Sequence, residues 1–146
     1  MILLSGFADN ATMTGAKMIA LDTNVYIYFL EKNPEFFECA QRSIKYALES
    51  GPICVPTITL LEIVSGTSNK EVLNFFAGHQ FVVYGLTASI ATLAGQLRYE
   101  HKSLKSADSI HLATALANNV SQFVTNDDRL EKLKLDLEVV PLSQFN

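Results

Sequence analysis

Short, mainly apolar runs alternate with longer segments of helical periodicity along this chain. Each run ends at polar or turn-forming residues, which is typical of strands, and runs that are apolar on both faces favour a parallel sheet. The runs that predict strands are Met18–Leu21, Pro52–Val55, Phe81–Tyr84, Gln122–Thr125 and Leu137–Val140.

The segments between these runs predict helices. Glu31-Lys32-Asn33-Pro34 separates the first two because proline breaks a helix, and Gly51 is a natural residue to follow the second. Strands that alternate with helices throughout indicate one α/β domain with a mainly parallel, five-stranded sheet. The predicted helices cover Val25–Leu30, Glu35–Ser50, Thr57–Val64, Glu71–Ala77, Thr87–His101, Ala107–Asn118 and Asp128–Lys134.

Composition sets limits on size, partners and compartment. A length of 146 residues suits a single domain, and a hydrophobic content of 49% suggests that a partner covers some apolar surface. The formal net charge of -4 argues against binding nucleic acid through bulk charge, but it is compatible with a local basic groove. Cys39 and Cys54 lack metal-ligand spacing and predict reduced, packed thiols in a cytoplasmic protein.

Residues Met1–Lys17 differ in character from the rest of the chain. Their composition is loop-like, and no basic region precedes the short apolar start, so a signal peptide is not predicted. No apolar run is long enough to span a bilayer. We therefore expect residues 1–17 to be an extension without an assigned function, and residues 18–146 to form the folded domain.

Four carboxylates stand where the predicted elements meet one edge of the sheet. Asp22 follows the first strand, and Glu62 lies in the first turns of the helix after the second strand. Asp108 opens the helix that leads into the fourth strand, and Asp127 follows that strand. Because a helix that leads into a parallel strand begins at the carboxyl edge, all four belong to the edge where open α/β sheets bind ligands.

Each acid also has a structural explanation. Thr59-Leu60-Leu61-Glu62 fits a capping box, Asp108 would complement a helix dipole, Asp127 would cap the next helix and Asp22 would end a strand. These explanations do not predict that all four share one edge. Clustered carboxylates repel one another unless a hard cation binds, and an all-oxygen cluster selects Mg²⁺ or Mn²⁺ over zinc. Such a site would activate water for phosphodiester hydrolysis.

Four motifs in series resemble the PIN domain, and in particular the VapC-type toxins of toxin–antitoxin pairs. The resemblance covers Met18 to about Pro141 and implies a three-layer α/β/α fold. It also implies a Mg²⁺- or Mn²⁺-dependent endoribonuclease, commonly a homodimer, that cuts RNA and is inhibited by a cognate antitoxin. The motifs are Asp22-Thr23-Asn24, Leu61-Glu62-Ile63-Val64-Ser65-Gly66, Ala107–Ala115 and Thr125-Asn126-Asp127.

The resemblance assigns roles residue by residue. It gives catalytic and metal-binding roles to Asp22, Glu62, Asp108 and Asp127. Asn24 and Thr125 would be nearby polar support, and Asp128 is an adjacent acid outside this set. The chain departs from the family in residues 1–17, because the first motif normally lies near the start of the protein.

Basic residues just ahead of the third motif are candidates for RNA binding. Arg98, Lys102 and Lys105 lie at roughly helical spacing and would guide a phosphate toward Asp108, although a solvated helix face explains the same spacing. His111 follows three residues after Asp108 in a small, apolar helix. That setting favours a hydrogen-bonded structural histidine over a metal ligand or a base.

Two other functions fit parts of the pattern. A haloacid-dehalogenase-type phosphatase has an opening loop similar to Asp22–Val25, but it requires a second aspartate where Asn24 stands. A non-catalytic PIN-like scaffold would bind RNA or protein without cutting. The presence of all four acids argues against that scaffold.

Overall fold

A computed structural model describes residues 17–67 and 69–146. It contains one five-stranded parallel sheet with the strand order β3-β2-β1-β4-β5, which confirms the predicted fold class. Apart from Lys17, the predicted extension lies outside the described residues. The strands are β1 (Ile19–Leu21), β2 (Ile53–Pro56), β3 (Phe81–Tyr84), β4 (Gln122–Thr125) and β5 (Glu138–Pro141).

Helices connect the strands much as the periodicity predicts. The segment Lys70–Phe76, which overlaps the predicted short helix at Glu71–Ala77, is a 3-10 helix, and a second 3-10 helix covers Leu142–Phe145. Within the described ranges, none of the helices is long and apolar enough to cross a membrane. The α-helices are α1 (Thr23–Leu30), α2 (Phe37–Ser50), α3 (Thr57–Ser65), α4 (Ala88–Glu100), α5 (Ser106–Ala117) and α6 (Asp128–Glu131).

Successive side chains of β1 face two different hydrophobic cores, as the pleat of a strand requires. Ile19 and Leu21 pack in the core formed with α1 and α2, whereas Ala20 packs in the core formed with α4 and α5. Cys39 lies in the first core and Cys54 in the second, and both are free thiols. The sheet is therefore the middle of three layers, with β1 buried at its centre.

The strand order creates a topological switch point between β1 and β4. From β1 the chain runs outward through β2 and β3, and then returns to the other side of β1 for β4 and β5. Leu21 pairs with Val124, and the Asp22 backbone N–H donates to the Val124 carbonyl at 2.8 Å. The carboxyl ends of these two strands therefore lie side by side, where open α/β sheets form a ligand-binding crevice.

Candidate active site at the carboxyl edge of the sheet

Asp22 stands at the switch point, between the end of β1 and the start of α1. The Thr125 hydroxyl, at the end of β4, donates to Asp22 Oδ2 at 2.8 Å. The pKa of Asp22 is raised, chiefly by burial and further by the charge of Asp108. The charge of His111 and the hydrogen bonds from Thr125 and the Thr23 backbone oppose this shift. Asp22 is therefore a carboxylate held where negative charge is unfavourable.

Glu62 on α3 is fixed by two side chains from other helices. The Thr23 hydroxyl donates to Glu62 Oε1 at 2.7 Å, and His111 Nε2 lies 2.8 Å from the same oxygen. Thr23 and His111 are both buried, at 4% and 2% exposure. The pKa of Glu62 is lowered, chiefly by the hydrogen bond with His111 and also by the one from Thr23, which together outweigh its partial burial. Glu62 is thus an ionised acid with a fixed orientation.

These contacts overturn the capping-box prediction for Glu62. Helix α3 begins at Thr57, so Glu62 lies in its second turn and its carboxylate turns inward to His111 rather than back to the Thr59 amide. The other two caps are present. The Lys105 backbone N–H donates to Asp108 Oδ2 at 3.0 Å, and the Arg129 backbone N–H donates to Asp127 Oδ1 at 3.0 Å. Asp108 and Asp127 therefore cap helices that begin at the carboxyl edge of the sheet.

Arg129 links Asp127 to Asp108. Its Nε donates to Asp127 Oδ1 at 3.0 Å and its Nη2 to Asp127 Oδ2 at 2.5 Å. The same Nη2 lies 3.4 Å from Asp108 Oδ2. The pKa of Asp127 is lowered, chiefly by this hydrogen bonding from the Arg129 side chain. Thr125 completes the connection, since its hydroxyl accepts from the Asp127 backbone N–H at 3.0 Å while donating to Asp22.

The four acids therefore share one edge of the sheet, but they do not converge on one point. Among the described residues, no three His, Cys, Asp or Glu side chains are close enough together to hold a metal ion as arranged. The donor chemistry nevertheless fits a hard divalent cation, because it consists of carboxylate oxygens. Burial and, to a smaller extent, the charge of Asp108 raise the pKa of Asp22, and a bound cation would offset both effects. Asp22 and Asp108 are the pair that would hold it.

The predicted supporting residues are placed unevenly. Thr125 contacts Asp22 as expected, whereas Asn24 is exposed and makes no hydrogen bond with the acids in the described part of the chain. Asp128 is exposed as well. Thr23 and Arg129 are the contacts that sequence reasoning missed. The available signals were the position of Thr23 directly after Asp22 and the spacing of Arg129 two residues after Asp127.

The three basic residues predicted as an RNA-binding set do not lie together on one helical face, and their contact with RNA stays a prediction. Helix α4 ends at Glu100, so Lys102 and Lys105 lie in the connection to α5. Arg98 donates from Nε to the Leu104 carbonyl at 3.1 Å, and Lys102 Nζ lies 4.3 Å from the centroid of the Tyr99 ring. Lys105 is the member of the set whose charge helps to lower the pKa of Asp127. His111, in contrast, is the buried, hydrogen-bonded histidine that was predicted.

A known protein family matches most of this chain. The sequence model of the PIN domain matches residues 19–135. The chain belongs to the PIN domain family. Comparison with curated protein sequences gave no significant match. The family assignment confirms the resemblance read from the four motifs.

Several solved structures resemble this PIN domain in fold, and one of them is a toxin–antitoxin complex. A complex from Klebsiella pneumoniae has a TM-score of 0.65 and 26% identity with this PIN domain, over 85% of this chain and 97% of its own. VapBC2 from Rickettsia felis, bound to a promoter DNA fragment, has a TM-score of 0.66 and 21% identity, over 85% and 98%. FitAcB from Neisseria gonorrhoeae has a TM-score of 0.63 and 22% identity, over 86% of this chain and 99% of its own.

Proposed function

We propose that this PIN domain is a Mg²⁺- or Mn²⁺-dependent endoribonuclease that hydrolyses RNA phosphodiester bonds. The observation that carries the proposal is the placement of Asp22, Glu62, Asp108 and Asp127 along one edge of the sheet at its switch point. Family membership supports it, since PIN domains of the VapC type are nucleases. The haloacid-dehalogenase alternative finds no comparable support.

The side chains at this edge would divide the work of hydrolysis. A bound divalent cation would supply an activated water and stabilise negative charge on the phosphate. Asp22 and Asp108 would hold the cation, and Thr125 would keep Asp22 oriented through its 2.8 Å hydrogen bond. Glu62 would accept a proton or a hydrogen bond from water, because His111 and Thr23 keep it ionised and fixed. Direct cation binding by Glu62 or Asp127 remains a prediction from the family resemblance.

Cleavage of total RNA by purified protein tests the proposal. We expect Mn²⁺-dependent cuts with the wild type, no cleavage in excess EDTA, and a steep loss with Asp22→Asn. Asp128→Asn is the matched control, because Asp128 is an exposed neighbouring acid outside the network. Full cleavage in EDTA, or wild-type cleavage by Asp22→Asn, would contradict the proposal. Absence of cleavage by the wild type would favour the non-catalytic scaffold.

The biological role proposed for this nuclease is that of a homodimeric toxin held by a cognate antitoxin. One fold neighbour, at 26% identity, is a toxin–antitoxin complex, and this chain exposes apolar side chains that a partner would cover. Leu61, Val64 and Leu73, on α3 and the following 3-10 helix, are 64%, 44% and 41% exposed. Expression of the wild-type chain alone should arrest growth, and Asp22→Asn should not. Unimpaired growth would contradict the proposed toxin role but would not bear on the nuclease proposal.

A further inference from the structure

Arg129 is a cation placed directly among acids that must receive an anionic substrate. We infer that Arg129 contacts the RNA phosphate at this edge, and that Asp127 acts by positioning Arg129 rather than by binding the metal. The inference rests on the proposed nuclease function. It assigns a substrate-binding residue and changes the role given to the fourth acid.

The guanidinium of Arg129 is held from two sides. Its four side-chain hydrogen bonds run to both oxygens of Asp127, to Asp108 Oδ2 and to the Ser103 carbonyl, the last at 3.1 Å. Ser103 lies in the connection between α4 and α5, whereas Asp127 lies at the start of α6. A planar group fixed in this way keeps its orientation, yet its side chain stays 43% exposed. It is therefore ordered and still accessible to a ligand.

The contacts of Arg129 are unequal, and the difference bears on Asp127. The Asp127 carboxylate accepts three hydrogen bonds from Arg129, one from the backbone N–H and two from the side chain. A carboxylate offers about four acceptor positions, so Asp127 has little capacity left for a metal. The contact to Asp108 is the longest of the set, at 3.4 Å. Asp108 can therefore turn to a cation while Arg129 keeps its hold on Asp127 and Ser103.

The charge balance of the site explains why such a residue is needed. A phosphodiester brings a negative charge to an edge that already carries four carboxylates, in a chain with a net charge of -4. A guanidinium presents several N–H donors in one plane, which matches the oxygens of a phosphate. As an exposed ion pair alone, Arg129 would add little to stability. Substrate binding accounts for its ordered place among the acids.

RNA binding in EDTA tests the contact without metal or catalysis. The probe is a short single-stranded RNA of mixed sequence, measured across a salt series. Arg129→Ala should weaken binding roughly tenfold and reduce the salt slope by about 0.7, as expected for one lost phosphate contact. Arg129→Lys should recover part of the affinity, since it restores the charge without the planar donors. Arg42→Ala is the matched control, because Arg42 is also exposed, pairs with Glu38 and donates to a backbone carbonyl.

A double-mutant cycle and Mn²⁺ titration test the role of Asp127. If Asp127 acts through Arg129, adding Asp127→Asn to Arg129→Ala should lower kcat/KM by less than about twofold more. Mn²⁺ affinity should change by less than about threefold in Asp127→Asn and fall by more than about tenfold in Asp22→Asn. Wild-type RNA affinity and salt slope in Arg129→Ala, or Mn²⁺ loss in Asp127→Asn equal to that in Asp22→Asn, would overturn the inference. Failure of the wild type to cleave RNA would instead refute the proposed function, and the binding and Mn²⁺ measurements would still decide the roles of Arg129 and Asp127.

Discussion

Among the single residues of the candidate site, Thr23 links Asp22 to the hydrogen-bonded pair of Glu62 and His111. Its backbone follows Asp22, and its buried hydroxyl donates to Glu62 at 2.7 Å and lies 3.3 Å from His111 Nε2. Thr23→Val keeps the shape but removes the donor, so we expect a loss of about 1 kcal/mol in the free energy of unfolding. The pKa of Glu62 should then move back toward its ordinary value, because one of the bonds that lower it is gone.

Urea unfolding and the pH dependence of RNA cleavage would measure these two effects. The acidic limb of the cleavage profile should move to higher pH in Thr23→Val, provided Glu62 acts as an ionised group. Thr23→Ser keeps the hydroxyl and should resemble the wild type in both measurements. A valine variant with wild-type stability and an unchanged profile would show that the hydroxyl contributes nothing to Glu62.

The ionised form of Asp22 is expected to destabilise the fold, in contrast to the ionised form of Glu62. Burial raises its pKa, so the folded state binds a proton more readily than the unfolded state. The unfolding free energy therefore falls as pH rises from the ordinary value of 3.8 through the raised folded value, and the penalty is fully present above it. In EDTA at neutral pH, Asp22→Asn should melt at a higher temperature than the wild type. That gap should close on acidification, and a wild type that is the more stable protein at neutral pH would contradict the account.

At the start of helix α6, Asp127 both caps the helix and contributes to the candidate site. Asp127 caps α6 through the Arg129 backbone N–H and pairs with the Arg129 side chain. Asparagine caps about as well as aspartate, whereas alanine costs about 1 kcal/mol at such a position. Both variants lose the ion pair, so the stability difference between Asp127→Asn and Asp127→Ala isolates the cap. We expect about 1 kcal/mol by urea unfolding and an equal loss of cleavage in both. Equal unfolding free energies of the two variants would show that Asp127 does not stabilise α6 as a cap.

The elements that the sequence predicts well are those set by local patterning. Each strand falls within one residue of its predicted run, because a buried strand needs a short apolar run with turn residues at its ends. The common edge of the four acids followed from the alternation of strands and helices alone. The end of α4 was also predicted to within one residue, but the path of the chain after it was not. His101 leaves the helical conformation and Arg98 bonds to the Leu104 carbonyl, a contact that no periodicity reveals.

The contacts inside the site lay beyond local patterning. Thr23 and Glu62 are 39 residues apart, and Glu62 and His111 are 49 apart, so their hydrogen bonds depend on how three helices pack on the sheet. The sequence around Glu62 fits a capping box, but in the structure Glu62 bonds to the buried His111 instead. Arg129 is one basic residue in a charged segment. Its role becomes visible only when α6 and the α4–α5 connection are seen to meet.

At the scale of the whole molecule, the switch point determines where charge can be concentrated. Four segments separated along the chain deliver one acid each to an edge between two cores, and there burial and repulsion from Asp108 make the ionised form of Asp22 unfavourable. Hydrophobic burial in both cores provides the stability that this repulsion reduces. The fold is therefore expected to gain stability from a divalent cation. The part of that gain lost when one acid is replaced shows how far that acid contributes to cation binding.

Thermal unfolding in EDTA and in Mn²⁺ would rank those shares. A ligand that binds only the folded state at about 100 times its Kd stabilises it by about 2.7 kcal/mol, so the wild type should melt higher in Mn²⁺. The gain should nearly vanish in Asp22→Asn and Asp108→Asn, which remove the pair placed to hold the cation. It should shrink less in Glu62→Gln, whose carboxylate is occupied by Thr23 and His111. Asp127→Asn should keep most of the gain because Arg129 already occupies that acid.

Asp128→Asn is the control for this series, since it removes an exposed acid next in sequence to Asp127 and should keep the full Mn²⁺ gain. An equal Mn²⁺-dependent rise in melting temperature across the wild type and all five variants would mean that the cation binds elsewhere on the chain. Retention of RNA cleavage by the same variants would then show that the carboxyl edge of the sheet is not the reacting site. A ranked loss of the gain, with cleavage falling in Asp22→Asn and Asp108→Asn, is the outcome expected if these two carboxylates hold the cation.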